Sequence, residues 1–128
     1  MIVVAAGIVT RDGKIMLCQR KPDVHQALKW EFPGGKLEPG ESPERALERE
    51  LREELAIETR TGRIFDVRFH SDGGRDILLL FYFSEIVSGE PEPVDCNAVA
   101  WTDPSSLTAY DLAPADALVA ELLARSVV

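Results

Sequence analysis

The amino-acid sequence predicts an α/β (α+β) sandwich in which helices pack on a β-sheet. Three observations predict it. Short apolar segments bounded by glycine turns lie before and between two helical patterns. Leu47, Leu51 and Leu55 recur every four residues, the buried stripe of an amphipathic helix. Ile77 to Phe83 is nearly all apolar, as expected of a strand covered on both faces.

The elements follow in order. Val3 to Thr10 reads as a strand, Asp12-Gly13 as a two-residue turn, and Lys14 to Arg20 as the returning strand. Lys21 to Lys29 is a polar loop. Trp30 to Leu37 is extended but broken by Pro33-Gly34-Gly35, and Glu38-Pro39-Gly40-Glu41 turns the chain. Ser42 is a good helix N-cap, Pro43 suits the first helical position, and Glu44 favours the positive end of the helix dipole. Arg63 to Ser71 and Asp76 to Glu85 read as strands around Asp72-Gly73-Gly74. Val99 to Thr102 is a last short strand. Pro114 to Arg125 is a second helix, with Leu118, Leu122 and Leu123 expected on its inner face.

With 128 residues and 14.2 kDa, a single domain over residues 1–128 is the expectation. A net charge of −8 and a pI of about 4.7 argue against long nucleic acid as a partner, because duplex binding needs a basic footprint. A small polyphosphate is still compatible, provided divalent cations lie between the two sets of negative charge. Met1 to Thr10 is apolar but short and lacks a basic n-region, so it reads as a core strand rather than a signal peptide. No apolar run approaches a membrane span. Cys18 and Cys96 have no ligand spacing and read as reduced thiols of a cytoplasmic protein. A monomer is the expectation, with a dimer as the alternative.

The chemistry concentrates in Arg49 to Ala56. At about 100° per residue, Glu50, Glu53 and Glu54 fall within an arc of roughly 100° on one helix face. Glu41–Arg45 and Glu48–Arg52 fit the ordinary pattern of helix ion pairs, and Arg49 is spaced to meet Glu53. Glu50 and Glu54 have no basic residue three or four positions away. Like charges at this spacing are unfavourable, and a hard divalent cation such as Mg²⁺ would offset them. Gly34-Gly35 brings bare backbone to the same place, where a carbonyl could join the ion.

Gly35, Glu41, Arg49-Glu50-Leu51, Glu53-Glu54 and Ile57 match the spacing of the Nudix box, here residues 35–57. The segment Trp30-Glu31-Phe32-Pro33-Gly34-Gly35-Lys36, with Arg20, Arg75 and Pro114-Ala115-Asp116, resembles the MutT branch of that family. The resemblance implies the Nudix fold, a mixed β-sheet sandwiched between helices. It also implies hydrolysis of a nucleoside triphosphate to monophosphate and pyrophosphate, with Mg²⁺ or Mn²⁺ as cofactor. By position, Glu50, Glu53 and Glu54 resemble metal ligands and the site of the general base. Gly34 resembles a carbonyl ligand, and Asp95, six residues before Trp101, resembles a further acidic ligand or base. Arg49, paired with Glu41, resembles the residue that orients the carboxylates, and Lys36 the lysine that meets the departing phosphate. Arg20, His25, Glu31, Phe32, Pro33, Gly34, Arg75 and Asp116 correspond to substrate-binding positions.

Two departures stand out. Ala56 replaces the glycine that ends the family's helix. Either it accepts a left-handed conformation at about 1 kcal/mol or the helix end adjusts. Asp116 replaces an asparagine of the purine-selective pattern. Ionised, it only accepts, from an exocyclic amine of cytosine or from guanine N1–H and N2–H; protonated, it can donate to guanine O6, so the change widens the choice. The resemblance therefore points first to 8-oxo-dGTP and nucleotide-pool sanitation, with CTP or a modified dCTP as the alternative. ADP-ribose or nucleotide-sugar hydrolysis, or a non-catalytic nucleotide sensor, are the competing readings.

Overall fold

The computed structural model describes residues 1–126; residues 127 and 128 of the expected domain lie outside the described residues. Seven strands form a mixed sheet: β1 (Ile2–Arg11), β2 (Lys14–Gln19), β3 (Trp30–Glu31), β4 (Gly34–Lys36), β5 (Glu58–Asp72), β6 (Arg75–Ser88) and β7 (Ala98–Thr102). Two helices, α1 (Pro43–Leu55) and α2 (Pro114–Ser126), pack against it, with a 3-10 turn at Pro104–Ala109 between β7 and α2. The main order is β3-β2-β1-β6-β5, with β4 paired to β1 and β7 to β2. The β1–β6 pair is parallel and the other strand pairs are antiparallel, so the sheet is mixed.

Local sequence explains the ends of the elements. Asp12 and Gly13 take positive φ of 52° and 77°, the left-handed pair that a two-residue hairpin requires. Ser42 caps α1 by accepting the Arg45 N–H at 3.2 Å, and Pro43 opens the helix. At its other end Ala56 adopts φ 58° and ψ 35°, and its N–H donates to the Arg52 carbonyl at 3.1 Å. The alanine thus takes the left-handed conformation and leaves the helix end intact.

Side chains alternate along β1 and divide the core. Ala6 and Ile8 join Phe81, Val119, Ala120 and Leu123 on the α2 side. Ala5 and Val9 join Leu47, Leu51, Leu55 and Tyr82 on the α1 side. Several sequence expectations are corrected here. In α2, Leu118 is 47% exposed; Ala115, Asp116, Val119, Ala120 and Leu123 face inward, because the helix rotates its small residues onto the sheet. β6 is fully buried only at Phe81, Tyr82 and Ser84, since helices cover the middle of the sheet and leave its ends partly open. β5 begins at Glu58 rather than Arg63. Register shifts near Gly62 absorb the irregularity within the strand, so the glycine marks a bulge rather than a break.

Candidate active site

The site is built where α1 crosses the β1–β4 pair. Gly34 and Gly35 lie opposite Ala6 and Ala5. A Cβ on Gly34 would fall 2.0 Å from the Ala5 carbonyl oxygen, so only glycine fits there. A Cβ on Gly35 would fall 2.3 Å from the Glu50 carboxyl carbon. The missing side chain is therefore the space that Glu50 fills. Helix and loop meet through a carboxylate laid against bare backbone.

Arg49 organises the acids around this point. Its Nε and Nη2 donate to Glu41 Oε2 and Oε1 at 2.8 and 3.0 Å, and Nη2 also donates to the Lys36 carbonyl at 3.0 Å. Its Nη1 donates to Glu50 at 3.0 Å and to Glu53 at 3.2 Å. Charge-assisted bonds from Arg49, and then the Glu38 N–H, hold the Glu41 carboxyl down at about 2. The sequence expectation that Glu50 lacks a basic neighbour is corrected: Arg49 curls back over its own turn and reaches it. The expected Glu41–Arg45 and Glu48–Arg52 pairs do not form. Arg49 takes Glu41, Arg52 takes Glu58 at 2.7 Å, and Glu48 accepts from the Thr61 N–H and hydroxyl. The strand following α1 supplies partners that helix spacing does not reveal.

Glu54 is different. It is half-buried beside Glu50, and no hydrogen-bonding cation reaches it among the described residues. Burial first, then repulsion from Glu50 and Glu31, pushes its carboxyl up to about 9. Burial and the neighbouring negative charge thus favour the neutral form of Glu54. Glu53 projects outward, 58% exposed against 17% for Glu50. The ammonium of Lys21 rests on the Asp95 carboxylate, and the Asp95 N–H donates to the Glu54 carbonyl at 3.1 Å.

Two contiguous cavities, of about 320 and 200 Å³, open beside the glycines. Arg20, Glu31, Lys36 and Asp116 line both; His25 and Arg75 line the larger and Phe32 and Gly34 the smaller. Glu31 is clamped by Arg20 at 3.1 Å, and burial raises its carboxyl. Asp116 is buried, and its Oδ1 accepts the Phe32 N–H at 2.9 Å. Burial first, then Glu31, pushes Asp116 up to about 7. Phe32 packs edge-on against Phe81 in the core and shows only its margin to the cavity. Pro33, expected among the substrate contacts, is fully buried and lines none of these cavities; its carbonyl instead accepts the Gly7 N–H at 2.7 Å. A third cavity wall joins Lys21, Glu31, Glu54, Asp95, Cys18 and Cys96. The two cysteines and Lys21 carry no local signal in the sequence, because only the β2–β7 pairing brings them together.

A helix that lays an arginine-ordered set of carboxylates on a glycine-lined strand, beside a nucleotide-sized cleft, is the architecture of a Nudix hydrolase. The NUDIX domain model matches residues 1–123, and the chain belongs to this family. It is 44% identical over 116 residues to the CTP pyrophosphohydrolase of Escherichia coli (strain K12), covering 91% of this chain and 86% of that protein. It is 37% identical over 123 residues to the 8-oxo-dGTP diphosphatase of the same organism, covering 95% of each. Among solved structures, the Escherichia coli ORF135 protein superposes with a TM-score of 0.83 at 42% identity, covering 94% of this chain and 86% of that one.

Nudix hydrolases generally use divalent metal ions, and the donor chemistry of this chain fits one. Glu50 and Glu54 are hard oxygen donors that repel each other without a proton or cation between them. Among the described residues no three such donors already converge on one point. Glu53 is turned to Arg49 and Asp95 to Lys21.

Proposed function

We propose that the chain hydrolyses nucleoside triphosphates to the monophosphate and pyrophosphate, with Mg²⁺ as the working cation and Mn²⁺ as a substitute. The observation that carries this reading is the half-buried Glu50–Glu54 pair, with Glu50 set against Gly35 beside the cavities lined by Lys36 and Asp116. A divalent cation held by Glu50, Glu54 and the Gly34 carbonyl, with Glu53 and Asp95 as further donors, would acidify water and offset charge on the phosphoryl oxygens. The chain's own residues do the rest. Arg49 and Glu41 hold Glu50 and Glu53 in position, and a glutamate of the set takes the proton of the attacking water. Lys36 meets the departing phosphate. Arg20 with Glu31, His25, Arg75, the edge of Phe32 and Asp116 form the base pocket. The proposed role is nucleotide-pool sanitation by a single-domain monomer in the cytoplasm.

8-Oxo-dGTP is the first substrate proposed. CTP or a modified dCTP is the second reading, supported by the greater identity to the CTP pyrophosphohydrolase than to the 8-oxo-dGTP diphosphatase. Asp116 already spends Oδ1 on the Phe32 N–H, leaving Oδ2 for the base. When ionised, that oxygen accepts from the exocyclic amine of cytosine or from guanine N1–H and N2–H. The test is pyrophosphate release with Mg²⁺ across 8-oxo-dGTP, dCTP, 5-methyl-dCTP, CTP and ADP-ribose. Glu53→Gln and Glu54→Gln are expected to reduce turnover at least about 10²-fold, as for loss of a metal-site or general-base group. Preference for ADP-ribose over every triphosphate, or full activity in both variants, refutes the proposal.

A further inference from the structure

We propose that Lys21 is a phosphate-binding residue of the nucleotide site, held in reserve by Asp95 until cation and nucleotide arrive. The inference deepens the proposed function and rests on it. Lys21 leaves β2 at a stiff point. The neighbouring Arg20 N–H donates to the Lys29 carbonyl at 2.8 Å, and the Arg20 carbonyl accepts from Leu28 at 3.2 Å. The Arg20 side chain is held by Glu31 and by the His25 carbonyl at 2.7 Å. Its neighbour's side chain has no such restraint: it is 44% exposed, with its ammonium on Asp95.

That contact lies on the wall shared with Glu31, Glu54 and Asp95. Glu31 has Arg20 as its partner, and Asp95 has Lys21. A divalent ion entering this wall competes with the ammonium for the Asp95 carboxylate. The displaced lysine then stands beside the triphosphate chain, which offers several anionic oxygens in place of one. A compact ammonium on a flexible four-carbon stem suits that exchange better than a planar guanidinium would. Lys36 lines the neighbouring cavities, so the two lysines would approach the phosphates from different walls. The sequence gives no hint of the contact, since Lys21 and Asp95 lie far apart along the chain.

The exchange makes opposite demands on one variant, which a plain surface ion pair does not. In nucleotide-free full-length protein titrated with Mn²⁺ by electron paramagnetic resonance, Lys21→Met is expected to bind the ion about 1.5- to 5-fold more tightly, the range for losing a solvent-accessible ion-pair partner. The same variant is expected to weaken inorganic tripolyphosphate binding and raise the triphosphate KM by about fivefold or more, with kcat within about twofold, as for lost ground-state binding. Lys21→Arg, which keeps the charge, should return KM toward the wild-type value. Unchanged Mn²⁺ affinity, or metal and phosphate affinities that move in the same direction, overturns the assignment. Wild-type protein that binds Mn²⁺ and releases pyrophosphate while Lys21→Met matches it in every readout refutes Lys21 alone. Wild-type protein that does neither refutes the proposed function and this inference with it.

Discussion

Cation binding at the Glu50–Glu54 pair should be a proton-release reaction, and pH is the perturbation that exposes it. The Glu54 carboxyl stands at about 9 against its ordinary 4.5, through burial and the adjacent Glu50. At pH 7 the pair lies about two units below that value and holds its proton almost completely. A cation that takes both carboxylates must expel that proton, at about 2.7 kcal/mol for two units. Apparent affinity should therefore rise about tenfold per pH unit from roughly pH 6 to 8 and level off above about 9. Isothermal titration with Mn²⁺ in two buffers of different ionisation enthalpy should show about one proton released per ion at pH 7. Glu54→Gln should bind more weakly and lose the pH slope. A flat affinity profile, or binding without proton release, would refute the reasoning. The same linkage applies to folding. The folded pKa is raised, so the group's contribution to metal-free stability is intact below pH 4.5 and falls as pH rises through about 9, and added cation should reverse the loss.

Two further outcomes follow from single residues. Ala56→Gly should stabilise the chain by roughly 1 kcal/mol, because Ala56 sits at φ 58° where glycine bears no Cβ penalty, and thermal unfolding will measure it. Burial pushes Asp116 up to about 7, so below that point the protonated form offers a donor to guanine O6 and accepts a cytosine amine poorly, whereas the ionised form accepts from cytosine's amine as well as from guanine N1–H. The ratio of kcat/KM for dCTP over 8-oxo-dGTP should accordingly rise with pH through about 7. Asp116→Asn should flatten it, and a pH-independent ratio in the wild type would count against the base-reading role.

Much of the fold could be read in the chain. Ser42-Pro43 and Asp12-Gly13 act through local torsions and caps, and the structure carries both out as expected. The approach of the Gly34-Gly35 backbone to the acidic helix face was legible because one motif spans the loop and the helix, but that the Glu50 carboxylate fills the space beside Gly35 was not. Other features were not. Arg49 touches Glu50 because the guanidinium folds back along its own turn, a rotamer choice set by Glu41 and the Lys36 carbonyl rather than by helix periodicity. Pro33 is buried and Leu118 exposed for reasons of packing against β1 and the sheet, which residue type alone does not indicate.

The sequence by itself determined the local grammar and the reaction class, since caps, turns and the acidic helix face depend on residues within a few turns of one another. Only the tertiary structure decided which acids are buried, which cations they meet and which strands run parallel. Lys21 reaches Asp95, and burial raises the Glu54 carboxyl, because pairing of distant strands sets distances and dielectric that no local spacing contains.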